Sequence, residues 1–319
     1  MSQAEKEAIS VLTAVIGKKY VLTDKKSVEF YSMDVYRSFE VPIAVVQPGS
    51  VEELQEVVRV ATGLGIAIVT RGGGASYTDG YLATTPKSIT IDTSRLNKIV
   101  EINEEDMLVT VEPGVTWAEM AAALTEKNLR TPFWGPFSGL KATVGGSTSQ
   151  NSLSMGTSAY GGSPESILCY DIVLPSGKIL KTGSSSMENS SAFFRHYGPD
   201  LTGLFSGDAG ALGVKARITL RLIKLPTHSL TCSFGFKDYG SMSEGMAAAA
   251  REQSVSSNWG LDPKLQQGQL GRTTFSDAIK AAFSVLRTAR NPFEAIVQLG
   301  KMALAGKRFL TGFDYSAHF

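Results

Sequence analysis

Three consecutive glycines, Gly72 to Gly74, stand between Arg71 and Ser76 in the stretch VTRGGGASYTDG, Val69 to Gly80. Glycine has no Cβ, so such a loop can enter positive φ and bring its backbone against a ligand. Successive N–H groups in a turn of this kind converge into a nest that holds an anion. Arg71 adds a fixed positive charge, and Ser76 adds a hydroxyl able to reach a phosphate oxygen. The chemistry this predicts is phosphate binding. The alternative is a loop whose glycines serve backbone geometry alone. Two more glycine-rich stretches, Thr131 to Gly162 and Gly207 to Gly213, are able to close on a ligand. A loop as long as the first of these is usually functional in a compact domain.

Acid–base groups are few, with three histidines in the chain. His196, in FFRHYGPD, reads as a surface residue beside Arg195 or as a base close to the ligand. His228 follows Pro226 where the composition changes and reads as structural. His318 lies in a strand-like run near the C-terminus and is the more interesting candidate. Arg37 and Arg195 are candidates to hold a substrate carboxylate. No grouping of His, Cys or Asp has metal-ligand spacing. No nucleophile stands beside a base. Cys169 and Cys232 sit in apolar runs and read as buried free thiols in a reducing compartment.

The elements that position these residues can be followed in order. Glu5 to Ile16 reads as an amphipathic helix, and Asp34 to Glu40 as a solvated loop. Val41 to Val46 is strand-like and ends at Gln47-Pro48-Gly49. Ser50 and Glu53 then form a capping box, which satisfies free N–H groups at a helix start. Leu54, Val57, Val58 and Ala61 fall on one helical face, and Ile66 to Val69 is the second strand. The triple-glycine loop follows directly. This is not a Rossmann unit, because G-x-G-x-x-G is absent and the glycines follow the second strand. It is not a Walker A loop, because no G-K-[ST] follows.

Ser88 to Asp92 reads as a strand, and Ile99 to Ile102 with Met107 to Val111 as a hairpin. Thr116 and Glu119 cap a second helix that runs to about Asn128. Leu168 to Leu174 and Lys178 to Lys181 form another hairpin, and Asp200 to Phe205 a helical turn. Val214 to Leu222 reads as a half-buried strand. Val214, Ala216, Ile218, Leu220 and Leu222 point inward, with Lys215, Arg217 and Arg221 outward. After Pro226, Leu230 to Phe236 is strand-like, and Gly245 to Glu252 and Thr274 to Leu310 are helical. Gly312 to Phe319 alternates like a strand left without a partner, an aggregation hazard.

A 43% hydrophobic and 19% charged composition describes a soluble globular chain with a substantial core. A net charge of +1 gives no reason to expect nucleic acid or an anionic membrane as partner. No apolar run is long enough to span a bilayer, and the N-terminus lacks the pattern of a signal peptide. The reading is a cytoplasmic protein.

Taken together, the motifs fall in a definite order: RGGGAS, PGVTW, TVGG, Tyr160-Gly161, VLPSGK, DLTGLF and GDAGALGV. That order resembles the FAD-binding domain of the p-cresol methylhydroxylase type, in the vanillyl-alcohol oxidase family. Glycolate oxidase and D-lactate dehydrogenase flavoproteins share this domain. The match runs from Val41 to Pro226. The resemblance implies an α+β chain in three parts. An N-terminal helical and loop segment, 1–40, precedes an FAD-binding domain of two α/β subdomains, 41–226. An antiparallel-sheet substrate cap begins over 227–319 and is incomplete, so the chain reads as a fragment or a truncated product.

Carried over residue by residue, the resemblance makes Thr70, Arg71, Gly72, Gly73, Gly74, Ala75, Ser76 and Tyr77 the diphosphate clamp. Pro136, Phe137, Ser138, Thr143, Gly145, Gly146 and Ser149 fall where the chain passes the isoalloxazine ring and diphosphate. Asn151 and Ser154 match a turn against the flavin, Tyr160 and Gly161 a family pair, and Ile167 an apolar neighbour of adenine. Ala209, Gly210, Gly213 and Val214 match the segment that closes over the nucleotide. Ala209 and Ala211 replace the family's Glu and Thr, so side-chain contacts there are lost, and Ser154 replaces a glycine.

Members that attach flavin through the first loop carry a His there, where this chain has Ala75, Ser76 and Tyr77. The resemblance therefore implies FAD held non-covalently. The implied activity is an FAD-dependent dehydrogenase or oxidase that moves a hydride from a small 2-hydroxy acid or related alcohol to flavin N5. His318 and His196 are candidates for the base, and no metal is expected. Electrons would pass to oxygen, a quinone or a protein carrier, and a homodimer is compatible with this reading. Phenol oxidation, kept open by Phe133, Trp134 and Phe137, is one alternative. A non-catalytic FAD-binding module is another.

Overall fold

The computed structural model describes residues 3–253, 255–270 and 315–319, together with 294, 296, 297, 299 and 300. The chain divides into two units, Met1–Pro226 and Thr227–Phe319.

The first layer of unit one comprises α1 (Gln3–Ile16), β1 (Val21–Leu22), α2 (Lys25–Tyr31), β2 (Ala44–Val46), α3 (Val51–Gly63), β3 (Ala67–Arg71) and β4 (Ser88–Asp92). Its sheet order is β1-β2-β4-β3, with β2 and β3 both parallel to β4. The β–α–β unit read from sequence therefore leaves a gap between its two strands, and β4 fills it. Ser50 caps α3 as expected, its Oγ accepting from the Glu53 N–H at 3.1 Å. Parallel strands carry helices on their faces and are buried. β4 is accordingly buried along its whole length, and Leu12 of α1 and Leu54 of α3 join Ile89 and Ile91 in the first core.

The second layer comprises β5 (Ile99–Asn103), β6 (Leu108–Val111), α4 (Trp117–Thr125), β7 (Leu129–Arg130), α5 (Val144–Ser149), α6 (Thr157–Tyr160), β8 (Ile167–Val173), β9 (Ile179–Lys181), α7 (Leu201–Leu204), β10 (Val214–Arg221) and β11 (Ile223–Lys224). Its five-stranded sheet, β5-β6-β10-β8-β9, is antiparallel throughout. Thr116 and Glu119 close the expected capping box on α4. That helix buries Trp117, Met120 and Leu124 against Phe133, Ile218 and Leu220 in a second core. The Trp117 and Phe133 rings meet edge to face at 5.1 Å, and the indole Nε1 donates to Ser147 Oγ at 2.7 Å.

One expectation for β10 is overturned. Val214, Ala216, Ile218 and Leu220 are buried as the alternation predicts, and Arg217 is exposed, but Lys215 is only 4% exposed. β10 lies between β6 and β8, and its register on β8 shifts between Lys215 and Arg217. A shift of that kind re-aims side chains locally.

Unit two contains β12 (Ser233–Phe236), α8 (Tyr239–Arg251), β13 (Trp259–Leu261), α9 (Pro263–Leu270) and β14 (Tyr315–His318). The last strand is not the unpaired edge expected from the sequence. It is the centre of a β12-β14-β13 antiparallel sheet, hydrogen-bonded on both sides. The helices expected over Thr274 to Leu310 lie almost wholly outside the described residues. Both cysteines are free; Cys169 is buried as expected, while Cys232 is only half-buried. Among the described residues, no helix is long and apolar enough to cross a membrane.

Leu54, wholly buried in the first core, offers a direct check of this packing. Leu54→Ala is expected to remove about 2–5 kcal/mol of unfolding free energy. A urea melt should show a lowered midpoint at unchanged slope.

Candidate functional site

β3 and β4 run in register to their C-terminal ends, where Arg71 lies opposite Asp92. In open α/β sheets this edge is where ligands bind. The triple-glycine loop leaves β3 there and packs hard against the segment before α5. A Cβ on Gly73 would sit 1.6 Å from the Lys141 carbonyl oxygen, and one on Gly72 would sit 2.3 Å from Thr143 Oγ1. Gly74 has φ +63°, the left-handed region that favours glycine. The loop's glycines are thus required by close approach.

The same geometry leaves donors over. Among the described residues, nothing accepts from the N–H groups of Gly73, Gly74, Ala75, Ser76 and Tyr77. Five N–H groups on one short loop suit an anion with several oxygens, such as a diphosphate.

Arg71 is engaged by the protein through Nη1. It is 7% exposed, its Nη1 donates to the Met33 carbonyl at 2.8 Å, and its guanidinium lies 4.8–5.3 Å from the ring centroids of Phe30, Tyr31 and Tyr81. It acts as a strut that ties the N-terminal segment to the loop. Further ties reinforce it. Tyr31 Oη donates to Asp92 Oδ2 at 2.6 Å, the Asp79 N–H donates to Asp34 Oδ2 at 3.2 Å, and Arg37 pairs with Asp79 at 3.2 Å. Burial, and then the Asp92 carboxylate, push the Tyr31 phenol far above its ordinary value, so it stays protonated as a donor. The segment Asp34 to Glu40 is solvated as expected, with Val35 to Glu40 exposed, and through Asp34 and Arg37 it also anchors the glycine loop.

Two adjoining cavities, one smaller and one larger, open around the loop. Of the residues singled out from sequence, Thr70, Arg71, Gly145, Ser149, Ala209, Gly210, Gly213 and Val214 line the smaller. Gly73, Gly74, Ala75, Ser76, Tyr77, Pro136, Ser138, Thr143 and Asn151 line the larger. Gly72 and Gly146 line both.

Five others line neither cavity. Phe137 is 66% exposed, and Ile167 is buried in the second core. The Ser154 N–H donates to Thr157 Oγ1, Tyr160 lies near the Arg130 guanidinium, and Gly161 holds φ +82° at the end of α6. Reasoning from sequence missed Tyr81 and Gln150, which line both cavities, and Lys215, which lines the smaller. Gln150 was within reach, since it lies one helical turn past Gly146; its Oε1 accepts from Thr78 Oγ1 at 2.7 Å and so braces the loop.

None of the acid–base candidates is among the residues lining these cavities. His196 and His228 are exposed. Arg195 is engaged by Asp200 at 2.9 Å and by the Pro164 carbonyl at 2.8 Å. His318 belongs to unit two, where its ring stacks on Trp259 at 4.2 Å between the Ser233 and Ser316 hydroxyls. Burial lowers its pKa. Among the described residues, no group of three or more His, Cys, Asp or Glu is placed to hold a metal ion.

A parallel sheet edge with a donor-rich glycine loop, completed by a second glycine turn ahead of β10, defines a nucleotide-binding unit. Residues 42–183, less than half of the chain, match the FAD binding domain family. The chain is 31% identical over 237 residues to the mitochondrial D-lactate dehydrogenase [cytochrome] of Arabidopsis thaliana, an alignment covering 73% of this chain and 40% of that protein. It is 29% identical over 197 residues to the glycolate oxidase subunit GlcD of Bacillus subtilis, covering 61% and 40%. The chain thus spans about two fifths of the length of these curated relatives. Among solved structures, p-cresol methylhydroxylase with substrate bound superposes with a TM-score of 0.76 at 20% identity, over 100% of this chain and 61% of that one. The fold is therefore that of the p-cresol methylhydroxylase type. The glycine cradle and its unclaimed N–H groups fit the diphosphate of FAD.

Gly73→Ala tests the cradle. The added methyl meets backbone that cannot swing away, so the variant is expected to lose at least about 1–3 kcal/mol of stability. Thermal unfolding of the two proteins side by side reads this directly.

Proposed function

We propose that the chain is the cofactor-binding part of an FAD-dependent oxidoreductase that oxidises a small 2-hydroxy acid or related alcohol. The observation that carries the reading is the row of unclaimed N–H groups from Gly73 to Tyr77 along the larger cavity. The relatives named D-lactate dehydrogenase and glycolate oxidase support the substrate class. When bound, the flavin supplies a two-electron acceptor for the hydride of an alcohol C–H.

The residues of this chain bind and orient. The loop N–H groups hold the diphosphate, and Thr78 with Gln150 fixes the loop's far end. Tyr77 and Leu153 border the larger cavity with mostly exposed apolar surface, which a flat ring system can cover. The flavin is held without a covalent link to the loop, because Ala75, Ser76 and Tyr77 present no histidine. Thr70, Gly210 and Val214 line the smaller cavity and enclose the adenylate half.

Phenol oxidation ranks second. Phe133 is fully buried against Trp117, Trp134 lies under the Arg130 guanidinium at 4.2 Å, and Phe137 lines neither cavity. These three do not build an aromatic substrate pocket within unit one. A binding module without catalysis is the remaining reading.

Anaerobic reduction of the flavin-loaded chain separates the three. Bleaching of the visible flavin band by D-lactate or glycolate is the expected result. Bleaching by p-cresol alone would reverse the order of the first two. Bound flavin that no donor reduces would leave a binding module.

A further inference from the structure

Lys215 and Asp208 are an ion pair with an unusual position. The Lys215 side chain is 3% exposed and that of Asp208 2%, with Nζ 2.7 Å from Oδ1. Removing two charges from water costs several kcal/mol per ion, and apolar residues of similar volume often serve a core as well or better. Packing alone therefore gives no reason for this pair.

Its surroundings suggest one. Lys215 lines the smaller cavity at the start of β10, next to Gly213 and Val214. The other cation there, Arg71, is engaged by the Met33 carbonyl and three aromatic rings. An ammonium carries three donors, and the protein acceptor recorded for Lys215 is Asp208 Oδ1. Asp208 is fixed in turn, because its Oδ1 also accepts from the Gly210 N–H at 3.0 Å, while its buried Oδ2 has no partner. Tyr170 faces the amine at 5.4 Å, and burial pushes its phenol up to about 12, so it brings no competing charge. Burial lowers the Lys215 pKa, and the Asp208 carboxylate opposes that shift.

We propose that Lys215, oriented by Asp208, is a cofactor-binding residue whose ammonium donates to an acceptor on the adenylate half of FAD. This rests on the FAD reading above. The flavin ring must meet substrate and so takes the larger cavity, flanked by Tyr77 and Leu153. The diphosphate crosses at Gly72 and Gly146, shared by both cavities, which leaves the adenylate in the smaller one with Lys215. Lys215 is a direct contact; Asp208 is a positioning residue.

The test is titration of the flavin-free full chain with FAD, ADP and FMN, followed by flavin fluorescence or calorimetry. Lys215→Met is expected to weaken FAD and ADP by about 10- to 100-fold, the usual worth of a hydrogen bond from a charged group. FMN, which lacks the adenylate, should bind as it does to the unmodified chain. The single variant strands a buried carboxylate, so the double variant Asp208→Asn/Lys215→Met removes both charges together. With its melting temperature kept, the double variant should show the same selective loss. Unchanged FAD and ADP affinity in that folded double variant would overturn the assignment alone, as would an equal loss for FMN. Failure of the unmodified chain to bind FAD would overturn the FAD reading and this inference together.

Discussion

The close approach of Gly73 to the Lys141 carbonyl sets the site. No side chain fits between the two strands of backbone, since a Cβ would lie 1.6 Å from that oxygen. The contact presses the loop after β3 against the segment that leads into α5, and so joins the parallel sheet to the antiparallel one at their ligand-binding edge. Among the described residues, the loop has no protein acceptors for its N–H groups from Gly73 to Tyr77. Gly74, Ala75 and Ser76 are half-buried, where unclaimed donors are uncommon in folded proteins and suit a bound partner. The same constraint that packs the loop therefore creates its demand for an anion.

The loop is held from behind as well. Arg71 reaches back to the Met33 carbonyl between aromatic rings, and Asp34 and Arg37 grip the chain at Asp79. A preorganised loop loses little further freedom when a ligand arrives, which favours binding. The N-terminal segment thus belongs to the site's mechanics even though it lines little of the cavity.

Much of this was legible in the sequence, where the information is local. The capping box at Thr116 forms as read, Ser50 caps α3 while the Glu53 carboxylate turns to the Gly49 N–H, the hairpin at β5 and β6 forms, and the glycines of RGGGAS, TVGG and GDAGALGV gather around one pair of cavities. What escaped depends on long-range register. No local pattern says that β4 enters between β2 and β3, or that β14 lies between β12 and β13. Lys215 was assigned to the surface by a period-2 rule that fails where β10 shifts register on β8. The anchoring role of Asp34 and Arg37 escaped because their bonds reach Asp79, some forty positions away.

The most direct test of the account is amide hydrogen exchange over the glycine loop, with and without FAD. If the loop N–H groups hold the diphosphate, peptides covering Gly73 to Tyr77 will gain protection on adding FAD or ADP. Flavin that binds while these amides exchange as fast as before would contradict the account.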